Sequence, residues 1–175
     1  MVNNLDPIQV RTPSNEAKTS ALVKELGSRD AARREEARRT LERLGRQATP
    51  ALVEALGSPE ERVRWEAAKA FRCINDPRAA RALVRALEDD EAAVRWLAAR
   101  ALVALGRDAL EPLLLELEQG SDSVWMLSGA HHVLHALWRE DEADEVEPVL
   151  EAMENLEPRV EVPVAAYHAL RKIRG

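Results

Sequence analysis

A single cysteine, Cys73, among 175 residues rules out an internal disulfide framework and any cysteine-rich metal site. Aromatics are scarce at 3%, with one Phe, one Tyr and four Trp, and seven Gly and nine Pro are too few for a loop-rich or all-β chain. No run of about 18 apolar residues occurs, so no membrane-spanning helix is expected. The start, Met1-Val2-Asn3-Asn4-Leu5-Asp6-Pro7, has neither a basic region nor an apolar stretch, which argues against a secretory signal. The expected compartment is the cytoplasm. There is no Gly-x-Gly-x-x-Gly, no phosphate loop and no Gly-x-Ser-x-Gly, so the usual nucleotide-binding and hydrolase signatures are missing. What fills the chain instead is leucine, alanine and charge. Hydrophobic residues make up 46% and charged residues 32%, the composition of packed amphipathic helices.

The apolar residues repeat. Leu22, Val23 and Leu26 recur as Leu52, Val53 and Leu56, then as Leu83, Val84 and Leu87. They return as Leu113, Leu114 and Leu117 and again as Val149, Leu150 and Met153. Positions i, i+1 and i+4 share one face of a helix. After each triplet comes a second stripe with spacing 0, +4, +7. It reads Ala37/Leu41/Leu44, Ala67/Phe71/Ile74, Ala98/Leu102/Leu105, Ala130/Leu134/Leu137 and Ala166/Leu170/Ile173. A helix pair of this size cannot bury its own stripe, whereas stacked neighbours build one continuous core. The expected fold is all-α: a right-handed α-solenoid of about five antiparallel helix pairs, with the second helices lining a concave groove.

The pairs are expected near 15–26/31–44, 50–56/60–74, 77–88/91–105, 109–119/122–138 and 143–155/159–173. Residues 1–13 read as a flexible arm and 14–175 as one repeat domain. Gly27, Gly45, Gly57 and Gly106 stand where left-handed residues end helices, and Asp76-Pro77 reads as an N-cap followed by Pro at the first helical position. Two departures stand out. The acidic connector 139–145 lengthens the last step, and Pro163 is expected to delay the final helix, leaving Pro158 to open a separate turn.

The second helices carry Val63-Arg64-Trp65-Glu66-Ala67-Ala68-Lys69-Ala70-Phe71 and Val94-Arg95-Trp96-Leu97-Ala98-Ala99-Arg100-Ala101-Leu102. This Val-Arg-x-x-Ala-Ala-x-Ala-Leu pattern resembles the HEAT-like repeat, in the short form named after phycobilisome lyases. The resemblance extends over about residues 15–175 and is strongest over 50–106. It implies the solenoid fold and a range of roles: scaffolds, bilin lyases and a di-iron deoxyhypusine hydroxylase, with an alkylpurine DNA glycosylase among related solenoids. The hydroxylase needs paired His-Glu motifs, and no His-Glu dipeptide is present.

Trp65 and Trp96 hold the same repeat position, so their rings are expected roughly 10 Å apart on neighbouring helices. They are either interface anchors or packing over the repeat junctions. Lys69 with Arg100, and Arg64 with Arg95, are matched cations. The first pair is expected to be free for a ligand. Arg64 and Arg95 are candidate contacts too, although an arginine after that valine is expected to bond the neighbouring loop's carboxylates and carbonyls. Trp125 completes the candidate partner-binding set, with Arg38, Arg39, Arg43 and Arg72 extending the basic surface.

The four histidines cluster late in the chain. His131 and His135 have i,i+4 spacing that can chelate a divalent ion, and His132 aligns with His168 at the 36-residue offset. Glu140 and Asp141 are nearby acidic candidates. A metal site is the weaker reading, a polar cluster the stronger, and no cofactor is expected.

The formal charge of −6 argues against a general nucleic-acid binder. Its distribution is uneven. Residues 1–108 hold 20 basic and 17 acidic groups, net +3, while residues 109–175 hold 5 and 14, net −9. The expected function is a non-catalytic scaffold, a monomer or weak dimer, binding another protein through an acidic or phosphorylated segment. Alternatives are a glycosylase-like nucleic-acid-binding solenoid and a bilin-lyase-like or metal-dependent enzyme.

Overall fold

A computed structural model describes residues 13–120, 123–139 and 144–175. Its elements are α1 (Pro13–Glu25), α2 (Ala31–Leu44), α3 (Thr49–Leu56), α4 (Glu61–Phe71), α5 (Ala80–Arg85), α6 (Ala92–Leu105), α7 (Leu110–Glu118), α8 (Val124–Arg139), α9 (Glu147–Glu154) and α10 (Pro158–Arg174). Short 3-10 turns at Pro77–Ala79 and Ala86–Glu88 extend α5 at both ends, which accounts for the full 77–88 segment. No strand occurs among the described residues. The greater part of the expected N-terminal arm, residues 1–12, lies outside them, and Pro13 opens α1.

Local signals explain the ends. Asp30 caps α2 by accepting from the Ala32 N–H at 2.9 Å. Asp76 does the same for the turn before α5, accepting from the Arg78 N–H at 3.1 Å. Gly45 (φ 57°) and Gly106 (φ 61°) stop α2 and α6 in a conformation only glycine adopts freely. Gly57 does not follow them. Its φ is −94°, because α3 closes through an ordinary turn in which the Gly57 N–H donates to the Glu54 carbonyl. Gly27 likewise keeps a conformation open to any residue.

The regular stack has two layers. α1, α3, α5 and α7 form one, α2, α4, α6 and α8 the other, and the two stripes meet between them. Leu26, Leu52, Leu83, Leu87, Leu113, Leu114 and Leu117 come from the first layer. Ala37, Ala67, Phe71, Ala98, Leu102, Ala130 and Leu134 come from the second. Small residues bring backbones together, as the sequence pattern requires. A Cβ added at Gly129 on α8 would lie 2.9 Å from the buried Leu87 Cδ2.

The last pair breaks the pattern. α9 packs on α8 and α10 packs along α7, so the helices of the fifth pair are exchanged between layers. Arg174 of α10 bonds Glu111 of α7 at 2.7 Å, and His131 of α8 faces Glu154 of α9 at 3.7 Å. α10 is also one helix from Pro158, with Pro163 inside it, where a separate turn was expected. Pro158 takes the first helical position, so only Pro163 removes a hydrogen bond, and it does so within the second turn.

Candidate functional site

The arginines after Val63 and Val94 organise the second layer. Arg64 Nη1 donates to the Ser58 and Pro59 carbonyls at 3.1 and 3.4 Å. Arg95 Nη1 donates to the Asp89 and Asp90 carbonyls at 2.7 and 3.0 Å. Arg34, at the equivalent place in the first pair, donates to the Ser28 and Arg29 carbonyls at 2.9 and 3.2 Å. Each arginine thus holds the turn before its own helix. Each also reaches the next repeat: Arg34 lies 3.4 Å from Glu66, Arg64 donates to Asp89 at 2.7 and 3.0 Å, and the Arg95 guanidinium sits 4.3 Å from the Trp125 ring.

Arg64 is therefore a structural residue. Its side chain is 12% exposed, and Asp90 accepts a further bond from it at 2.5 Å. The Asp89 hydrogen bond raises the Arg64 pKa against the opposing effect of burial. In return, burial pushes the Asp89 carboxyl up, but the hydrogen bond from Arg64 helps hold it below the usual carboxylate range. The equivalent positions in the last two pairs are Leu127 and Pro163, which have no such donor. The unclamped pairs are the ones involved in the layer exchange.

A second buried ion cluster joins the first two pairs. Glu66 of α4 is buried, with Arg34 at 3.4 Å and Arg38 at 3.1 Å. Arg38, an expected member of the basic surface, is largely covered there and also pairs with Glu42. A glutamate three residues after the core Val63 gave no sequence sign of burial. The clue was two arginines at i,i+4 one repeat earlier.

The exposed site is built from what remains. Trp65 on α4 is half-buried and packs on the core, and Lys69 Nζ sits 4.4 Å from its ring. Trp96 on α6 is 54% exposed, with the Arg100 guanidinium 5.4 Å from its ring. Trp125 on α8 is 49% exposed beneath Arg95. Three tryptophans on three consecutive second-layer helices each carry a cation over the ring, at distances suited to cation–π attraction. Trp65 also lines an open hollow of about 440 Å³ with Arg34, Glu60, Glu61, Arg62 and Ala93, so that hollow is of mixed charge. Among the described residues neither Lys69 nor Arg100 has a carboxylate within ion-pair reach, in contrast to Arg39 (Glu35, 2.5 Å) and Arg43 (Glu36, 3.6 Å).

The histidines do not converge. His131 and His135 stack ring on ring at 5.8 Å, and His135 tilts against Trp138 at 6.0 Å. His168 packs edge-on to Tyr167 on α10, which lies along α7 and not beside α8, so its alignment with His132 in sequence does not stack the two helices. Glu140 and Asp141 lie outside the described residues. Among those described, no group of three or more His, Cys, Asp or Glu is placed to hold a metal.

Fold and packing define an α-helical repeat solenoid. Residues 19–103, from within α1 to near the end of α6, match the family model for HEAT repeats. No curated protein sequence matches the chain. Among solved structures, an engineered protein is 24% identical, with 89% of this chain and 78% of that one covered at a TM-score of 0.40. A designed armadillo repeat protein in complex with peptide (KR)4 is 21% identical, with 86% and 80% covered at a TM-score of 0.40. No helix among the described residues is long and apolar enough to cross a membrane.

Proposed function

We propose that the protein is a non-catalytic scaffold that binds an acidic segment of another protein across α4, α6 and α8. Solenoids built from HEAT repeats generally serve as protein-binding scaffolds, and the matched repeats form the regular part of this stack. The observation that carries the reading is the pair Lys69–Trp65 and Arg100–Trp96. These are two uncompensated cations beside indoles in a chain whose net charge is −6. Arg39 and Arg43, by contrast, are paired with carboxylates of their own helix. Tryptophan and arginine are also the residues most often found as interface anchors. Phosphate would satisfy the same cations, so a phosphorylated segment is the stronger-charged form of the same partner.

The test is titration with poly-glutamate, read by tryptophan fluorescence, on the wild type and on Lys69→Glu/Arg100→Glu. Binding by the wild type that falls about tenfold or more in the double variant supports the reading. Equal binding by both proteins, with helix content unchanged, sinks it. A single-stranded oligonucleotide serves as the competing ligand. If it binds more tightly than the acidic polymer, the nucleic-acid alternative takes precedence.

A further inference from the structure

The basic residues of the second layer form a longer row than the two matched pairs. Two residues after each core alanine stand Arg39, Lys69, Arg100 and His132, on α2, α4, α6 and α8. All four helices lie in one layer, stacked in that order. The row stops there, because α10 has left the layer and carries His168 with it. A parallel row runs four residues earlier in sequence, one helical turn away. It holds Glu35, Trp65, Trp96 and Ser128. Arg39 is already paired with Glu35, so the open part of the strip begins at Trp65 and Lys69.

The strip has two characteristic dimensions. Along the stack, equivalent residues on packed helices are spaced by about 8–10 Å. Across it, residues four apart on one helix are about 6 Å apart. A bound α-helix is about 10–12 Å wide, which overfills the strip. A β-strand places same-face side chains about 6.6 Å apart, out of step with the cations. A polyproline II segment advances about 9.3 Å in three residues and returns to the same face, in step with one repeat. Its apolar positions would lie over the indoles, a mode that aromatic-lined grooves use for proline-rich chains.

We infer that this strip reads an extended, proline-rich segment with an acidic side chain at every third position, one carboxylate per repeat. The inference rests on the acidic-partner reading above and adds its conformation and register. Its length follows from the open basic positions, two cations and the imidazole of His132. Lys69, Arg100 and His132 occupy three repeats, which corresponds to a core of about seven to nine residues.

Three twelve-residue peptides, each with four glutamates, provide the test. One repeats Pro-Pro-Glu, the second has glutamates at alternate positions, and the third is a helical sequence with its glutamates clustered on one face. Affinities are measured by tryptophan fluorescence at fixed salt, against wild type, Lys69→Ala and Trp96→Ala, with helix content checked by circular dichroism. The Pro-Pro-Glu peptide is expected to bind about tenfold more tightly than the others and to lose that margin in both variants. If the three peptides bind equally, with the loss in Lys69→Ala retained, the register is overturned and the acidic-partner reading stands. If none binds, both are overturned.

Discussion

Asp76 is buried at 2% exposure, and its carboxylate accepts from Arg78 Nε at 3.0 Å, Arg78 Nη2 at 2.6 Å and the Arg78 N–H at 3.1 Å. Burial alone would raise its pKa, but the hydrogen bonds from Arg78 outweigh it and hold the group at about 2, against an ordinary value of 3.8. A carboxyl whose pKa is depressed on folding stabilises the fold above its unfolded pKa and loses that contribution as pH falls through the folded one. Asp76 should therefore contribute about 2 kcal/mol at neutral pH. Most of that contribution should be lost between about pH 4 and pH 2, and the remainder just below. Denaturant titrations of Asp76→Asn should show an equally large deficit at pH 7 and only a small remainder at pH 2; a deficit independent of pH would mean that the cap geometry matters and the charge does not. Of this, the capping role was legible in Asp76-Pro77. The depth of the site was not, because it depends on Arg46 and Thr49 arriving from the preceding repeat. Arg78 donates to the Arg46 carbonyl at 2.8 Å. Trp65 and Trp96 make the same point. They are equivalent in sequence, yet one is half-buried beside a hollow and the other projects.

At the scale of elements, the arginine clamp distinguishes the first three pairs from the last two. Arg34, Arg64 and Arg95 each tie a turn to the following helix and reach the next repeat. Removing Arg64 strands the buried Asp89 carboxylate and two turn carbonyls. Arg64→Ala should cost about 3 kcal/mol in equilibrium denaturation, the usual range for breaking a buried pair from one side. Exchange of the amides around Ser58 to Glu61 should accelerate with it. A cost below about 1 kcal/mol would show that the contact is no better than a surface ion pair. The recurrence of Val-Arg made two of these clamps readable in advance. The third, Arg34, lacks the preceding valine and follows Arg33, so the motif did not reveal it.

Across the whole molecule, the continuous core of the stack divides at the fifth pair. α10 lies along α7 and α9 along α8, with Arg174–Glu111 and Arg107–Glu145 (2.6 Å) bridging the end. In a repeat stack, stability sums over neighbouring contacts. α7 and α10 should consequently open together in native-state hydrogen exchange, and α4 and α6 should stay protected when they do. Exchange of α10 at a lower free energy than α7 would contradict the exchanged packing. The acidic half of the chain falls in this terminal region, leaving the net-positive residues 1–108 to supply most of the cation row.

The sequence by itself determined the helices, their pairing and the repeat, since apolar periodicity is a local property that no alternative fold could bury as well. It also placed Trp65, Trp96, Lys69 and Arg100 on matching helix positions. Only the tertiary structure decided which cations stay uncompensated, that Glu66 is buried, and that His132 and His168 lie on helices that do not stack. Those outcomes depend on contacts between residues about thirty or more positions apart, and the order of the final two helices changed them without changing the stripe that predicted each helix.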